Sequence, residues 1–310
     1  MTAAPAVPPR RRRWKVPLLA LRAWPPVNLA ATSFGRLLVR TAGVDDTFLV
    51  RHLPRVGLVE TTLPDGRVLK LWSHGDEHIP NLVYWRGWSG YEPETTPVFY
   101  RLAREARTVL DVGAYVGFHS VLAGLANPRG RVHGFEPLPA AFARLESNVA
   151  LNRLHNVQCE SFAAADYEGR AELMTEPGLP TSSTLAPGFL PPSDRRSAVE
   201  VAVRPLDRYV QERGLAGIDL VKIDTETTEP AVVRGLSRTL ERDRPDIVCE
   251  VLSGQGTGPA LEAALRPLGY RFYLLTPAGP EPVPALSGHP RWLNHLLTAR
   301  PAEDLRRLLA

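Results

Sequence analysis

Hydrophobic positions along this chain follow two alternating periods. Continuous apolar runs at 108–112, 131–135, 157–163, 218–223, 246–252, 270–275 and 292–298 have the length and character of buried strands. Between them, apolar residues recur three or four apart. Val116, Phe118, Val121, Leu122 and Leu125 do so after the first run, and Phe142, Leu145 and Val149 mark 138–151 after the second. Further helices are expected over 205–213, 230–240, where Pro230 takes a tolerated first-turn position, and 259–265. Strands alternating with helices of this length predict an α/β, doubly wound, mostly parallel sheet, with ligands at the carboxyl ends of its strands. Two segments depart from that rhythm: 171–174 is a short extra strand, and 199–203 alternates like an antiparallel one. Residues 175–196, rich in Pro, Gly, Ser and Thr, are expected to be a mobile loop over the ligand side.

The first hundred residues read differently. Strands at 57–61 and 68–72 are joined by the turn Pro64-Asp65-Gly66, and 95–106 is a helix leading into the first core strand. The polar, aromatic stretch between them is expected to cover the sheet or shape an entrance through Tyr84, Trp85, Trp88 and Tyr91. Its His74, Asp76, Glu77 and His78 read as capping and solvated groups rather than as metal ligands. The expected organisation is a basic, disordered and dispensable leader over 1–33, an extension with a hairpin and aromatic cap over 34–107, a ligand-binding domain over 108–300 and a helical tail over 301–310.

Composition changes little of this. The chain has 310 residues, 44% hydrophobic and 23% charged, as in ordinary globular proteins. Much of its net charge of +4 lies in the arginines at 10–13 and Lys15, so it describes the leader and not necessarily a binding face, with a peripheral membrane contact through those arginines and Trp14 as the alternative; no nucleic-acid partner is expected. No apolar run reaches the length of a membrane span. The two cysteines, Cys159 and Cys249, form no metal-ligand spacing, which favours a reducing, cytoplasmic setting. Oligomeric state is not legible.

The chemistry concentrates in 108–137. Strand, glycine turn, helix and strand end in Glu136, a carboxylate placed to take both hydroxyls of a ribose. Gly113 and Gly117 let the backbone approach a ligand closely. Asp111 sits where a dinucleotide would bring its pyrophosphate, and the spacing lacks the third glycine of G-x-G-x-x-G. S-adenosylmethionine has no phosphate but has a sulfonium and an ammonium, so it fits that acid better. A second constellation is Asp219, Lys222, Asp224, Glu226 and Glu229, crowding a strand and its exit loop. Acids there can accept a hydroxyl proton, and Lys222, inside an apolar strand, must snorkel or pair with one of them.

Taken together, D-V-G-A-Y-V-G-F-H-S, G-F-E-P, V-R-P-L-D-R-Y, V-K-I-D-T-E-T-T-E with V-V-R-G-L, and I-V-C-E-V resemble the FkbM-type methyltransferases, as does the upstream G-W-S-G-Y-E-P. The resemblance runs over roughly residues 75–255. It implies a class I, Rossmann-like methyltransferase fold using S-adenosylmethionine, mostly for O-methylation of natural products or saccharides. It places Asp111, Gly113 and Gly117 in the cofactor loop with Ala114 and Tyr115 between them. Glu136 is then the ribose acid, with Pro137 beside it and Ala163 at the third strand's end. Asp224 and Glu226 match the family's K-I-D-x-E element and are the candidate catalytic acids, with His119 a third candidate. The implied partner is a small-molecule or glycan acceptor. No N-P-P-Y-type element follows the fourth core strand, which argues against methylation of nucleic-acid base amines. N- or C-methylation on the same scaffold, a non-catalytic cofactor-binding protein and a dinucleotide oxidoreductase stay open. Two positions depart from the family pattern: Tyr115 replaces an asparagine, and Thr227 stands where the family has glycine. If that glycine needs a positive φ, Thr227 strains the turn.

Overall fold

The computed structural model describes residues 24–43, 45–175, 184–186 and 197–309. Its strands are β1 (Gly57–Thr62), β2 (Val68–Ser73), β3 (Thr108–Val112), β4 (Arg131–Phe135), β5 (Val157–Glu160), β6 (Ala163–Ala164), β7 (Gly169–Thr175), β8 (Ser197–Arg204), β9 (Leu220–Ile223), β10 (Asp246–Glu250), β11 (Arg271–Thr276), β12 (Gly279–Val283) and β13 (Asn294–Thr298). The main sheet has eight strands in the order β12-β11-β13-β10-β9-β3-β4-β5. From β5 to β10 all pairings are parallel; β13 runs antiparallel to both β10 and β11. The order reverses direction between β3 and β9, and in open α/β sheets the ligand crevice lies outside the strand ends at such a reversal.

Alternate residues of each strand feed two different cores. Val109, Leu220, Val248 and Leu296 join the core shared with helices Thr96–Glu105 and Phe118–Ala126 and with the N-terminal extension. Their neighbours Leu110, Val221, Ile247 and Leu297 join the core under helices Leu206–Glu212, Glu229–Gly235 and Thr257–Leu265. Burial on both faces is why these strands read as continuous apolar runs.

Several elements differ from the sequence reading. The third strand stops at Glu160, and Ala163-Ala164 instead pair with β8 in a separate three-stranded sheet. The helix expected over 230–240 is two helices, Glu229–Gly235 and Ser237–Asp243, because Asp207 accepts the backbone N–H of Arg238 and Thr239 and caps the second. The aromatic stretch contains a helix, His78–Arg86, with Tyr84 and Trp85 buried. The leader's expected boundary at residue 33 falls inside a helix, Pro25–Ala42. That helix is tied down by Asn28, which donates to the Pro54 carbonyl at 2.8 Å and accepts from the Val56 N–H at 2.8 Å. A chain starting near Phe34 therefore loses real contacts. Residues 1–23 lie outside the described residues.

Candidate active site

The loop after β3 turns sharply under tight constraint. Gly113 has φ +84°, and a Cβ there would lie 1.8 Å from the Asp224 carbonyl oxygen. The backbone N–H groups of Gly113 and Ala114 both donate to the Phe135 carbonyl, at 3.0 and 2.9 Å. Tyr115 has φ 50°, a left-handed conformation that asparagine tolerates better than tyrosine. Gly117, φ +84°, caps the helix Phe118–Ala126, and a Cβ there would meet Leu145 at 2.5 Å.

These elements border a cavity of about 330 Å³ at the carboxyl ends of the parallel strands. Glu136, Pro137, Ala114, Tyr115, Gly113 and Ala163 all line it. Glu136 accepts the Tyr115 N–H on one carboxylate oxygen and the Leu138 N–H on the other, each at 2.8 Å. Burial pushes its carboxyl up to about 7, against those two bonds. Each oxygen keeps a lone pair for a further donor, so the group suits a ribose diol. Phe135, Phe162 and Leu138 give the same end apolar walls. Asp111 is placed otherwise than expected. It is not on the cavity wall; its carboxylate accepts from the Ser120 hydroxyl at 2.6 Å behind the loop, and burial pushes it up to about 6.

The second constellation divides. Asp219 lies at the opposite end of β9, where it accepts the backbone N–H of Arg107 and Thr108. Lys222 is fully buried and pairs with Asp224 at 3.1 Å, with the Asn294 side-chain oxygen at 3.3 Å. Burial opposes its charge, but Asp224, Glu92 and Glu250 outweigh burial and hold the ammonium above the usual lysine range. Asp224 and Glu226 line the cavity. Glu226 and Thr227 are both left-handed, φ 52° and 84°, so the turn keeps a glycine-type conformation without glycine. One oxygen of Glu229 holds it by accepting the Thr225 and Thr227 N–H groups, and the Thr184 hydroxyl donates to the Glu226 carbonyl at 2.6 Å. Of the expected loop over 175–196, β7 takes Thr175 and 184–186 are described, with Leu185 on the cavity wall; the rest lies outside the described residues.

Two further acids complete the wall: Glu92, in the turn before helix Thr96–Glu105, and Glu250, the last residue of β10. His119 joins them, its Nε2 3.8 Å from the Glu92 carboxylate. One carboxyl oxygen of Glu92, one of Glu250 and Nε2 of His119 are buried with no hydrogen-bond partner among the described residues. Burial, reinforced by Asp224 and Glu226, pushes Glu250 up to about 10; burial, then Asp224 and Glu229, pushes Glu226 up to about 8. Burial also raises Glu92, against the pull of Lys222, and holds the His119 imidazole well below its ordinary value. Glu92 and Glu250 stand inside G-W-S-G-Y-E-P and I-V-C-E-V, but nothing in either motif's spacing marks those acids as facing a ligand. Of the aromatics, Tyr91 reaches the cavity and packs edge-on against Phe118. His74, Asp76 and Glu77 do converge, but Arg144 sits among them, bonded to Asp76 at 3.0 Å and to Glu77 at 2.8 Å.

A doubly wound sheet with a glycine loop after β3, an acid directly after β4 and acids at the ends of β9 and β10 is an arrangement suited to an S-adenosylmethionine-dependent methyltransferase. The Methyltransferase FkbM domain model matches residues 111–272, and the chain belongs to that family. It is 29% identical over 199 residues to the 31-O-demethyl-FK506 methyltransferase FkbM of Streptomyces tacrolimicus, covering 54% of this chain and 74% of the relative. It is 27% identical over 188 residues to the methyltransferase sdnD of Sordaria araneosa, covering 52% and 73%. A solved FkbM methyltransferase from Methylobacillus flagellatus overlaps 74% of this chain and 56% of its own length, at 14% identity and a TM-score of 0.43.

Proposed function

We propose that this methyltransferase O-methylates a hydroxyl on a natural product or saccharide. The observation that carries the reading is that one cavity holds two unlike ends. At one end is Glu136, with backbone-fixed oxygens; at the other are polar atoms of Glu250, His119 and Glu92 that have no hydrogen-bond partner among the described residues. A hydroxyl both donates and accepts, so it can satisfy carboxyl and imidazole groups of this kind. The relative named as a 31-O-demethyl-FK506 methyltransferase supports oxygen as the acceptor atom.

In this reading Glu136 takes the ribose hydroxyls, while Gly113, Ala114, Tyr115, Pro137 and Ala163 form the cofactor's bed. Asp111 acts one step removed, by holding the loop to the helix through Ser120. When bound, S-adenosylmethionine supplies an electrophilic methyl group on a sulfonium. The protein's task is to hold the acceptor oxygen in line, about 3 Å from that carbon, and to take its proton. Asp224 is the residue we assign to orienting and deprotonating the hydroxyl, its other side anchored by Lys222. Glu226 stands next to it and, in its ionised form, is the alternative proton acceptor. His119, kept neutral by burial, offers a hydrogen bond and no charge.

The test is transfer of labelled methyl from S-adenosylmethionine to a panel of hydroxylated metabolites and saccharides, with the product bond located by mass spectrometry. A methyl ether is expected. A methylamine or a new carbon–carbon bond would reassign the acceptor atom.

A further inference from the structure

The helix Pro25–Ala42 is turned the opposite way from most surface helices. Its inward face is mostly small and polar: Asn28, Thr32 and Gly35 are buried, Val39 is, among the described residues, its one apolar contact with the core, and a Cβ on Gly35 would lie 2.8 Å from the Trp85 ring. Its outward face carries Leu29, Phe34 and Leu37, which are 48%, 61% and 54% exposed. At 100° per residue these three fall within an arc of about 140°, opposite the buried set. Trp24, 58% exposed, stands at the helix entrance.

Charge says what could cover this face. Residues 1–44 contain eight basic side chains, the arginines at 10–13, Lys15, Arg22, Arg36 and Arg40, and no Asp or Glu. The whole chain is +4, so the remaining residues carry −4. A protein partner of ordinary mixed charge would gain little from so one-signed a segment. A surface that is apolar within and anionic at its rim matches both features, and tryptophan at such a boundary is favoured for its amphipathic ring. Among the described residues no helix is long and apolar enough to cross a membrane, so the contact would lie in the interface plane.

We propose that the outward face of Pro25–Ala42, with the basic residues preceding it in sequence, docks on an anionic lipid surface. The inference is independent of which acceptor is methylated. Its occupant is a bilayer rich in acidic headgroups, attracted by Lys and Arg and held by Trp24, Leu29, Phe34 and Leu37.

The experiment is co-sedimentation of the full chain with vesicles of phosphatidylcholine alone and of phosphatidylcholine with phosphatidylglycerol, at low and high salt. Binding is expected only to the anionic vesicles, and to weaken as salt rises. The double variant Phe34→Glu, Leu37→Glu should bind them at least about tenfold more weakly, with S-adenosylmethionine binding unchanged because both side chains point to solvent. A chain that stays in the supernatant with anionic vesicles at low salt overturns the proposal, whatever the variant does. So does a double variant that binds as well as the parent. Sedimentation equilibrium closes the remaining route: a parent dimer that the two substitutions split into monomers would mean a second copy covers the face, and the proposal falls.

Discussion

The two ends of the cavity are built on opposite principles. At the end we assign to the cofactor, both carboxylate oxygens of Glu136 are fixed by backbone N–H groups and the loop is pinned to Phe135. At the end we assign to the acceptor, buried oxygens of Glu250 and Glu92 and Nε2 of His119 have no hydrogen-bond partner among the described residues. The first end is preorganised by main chain close in sequence. The second is assembled from side chains of a turn before β3, a helix after it and the end of β10, distant in sequence, and its Glu226 and Glu250 carboxyls are raised further than that of Glu136.

The sharpest way to break that contrast is at the point where the two ends touch. Gly113→Ala puts a methyl group into the Asp224 carbonyl at a φ that L-residues avoid. Stability should fall by more than about 3 kcal/mol, and cofactor binding should disappear with it. A variant that melts like the parent would show that the loop is not locked as described.

Asp224→Asn comes next, and it reads both ends at once. Turnover should drop about 10²–10⁴-fold if Asp224 handles the acceptor proton. Removing its charge also leaves Lys222 buried beside a neutral partner, so stability should fall by about 3 kcal/mol. Cofactor affinity in the folded fraction should change little. Lowered melting temperature with full turnover would make Asp224 a structural partner of Lys222 and move the chemistry to Glu226. Chelator sensitivity of the parent would bring in a metal.

The raised carboxyls give a pH signature. Glu226 and Glu250 are pushed from 4.5 to about 8 and about 10, so the folded state favours their neutral forms. Their contribution to stability is complete below about 4.5 and is lost as pH rises through the folded values. The cofactor-free protein should therefore melt lower at pH 9 than at pH 6, and Glu250→Gln should flatten the slope. A melting temperature that rises over that range would contradict the buried, neutral acids.

The smallest effect is expected at Thr227. Its φ of 84° strains a β-branched residue, so Thr227→Gly should raise stability by about 1 kcal/mol. Unchanged or lower stability would mean that the lost side chain, or the greater backbone freedom of glycine in the unfolded chain, outweighs the strain.

The same contrast explains what the sequence could disclose. The cofactor end was readable because it lies within one βαβ unit, where Gly113, Gly117 and Glu136 have local, fixed spacing. The core strands were readable because burial on both faces removes polar residues from them. β12 was not, since Gly279–Val283 carries two prolines on a sheet edge. Nor was the break between Gly235 and Ser237, which depends on a cap from Asp207 about thirty residues away. Thr227's strain was legible, because a missing glycine is visible in a motif. The partnerless atoms of Glu92 and Glu250 were not, because only the folded sheet brings those residues together. Asp111 was read as facing the ligand, whereas its orientation is set by Ser120, nine residues on.

Cofactor affinity measured by calorimetry on the parent and on Glu136→Ala bears most directly on the account, because every assignment at the acceptor end is positioned from Glu136. The parent should bind S-adenosylmethionine in preference to NADH, and the variant should bind it more weakly by about 1.5–3 kcal/mol, roughly ten- to a hundredfold. Equal affinity in the two proteins, or a parent that prefers NADH, would contradict it.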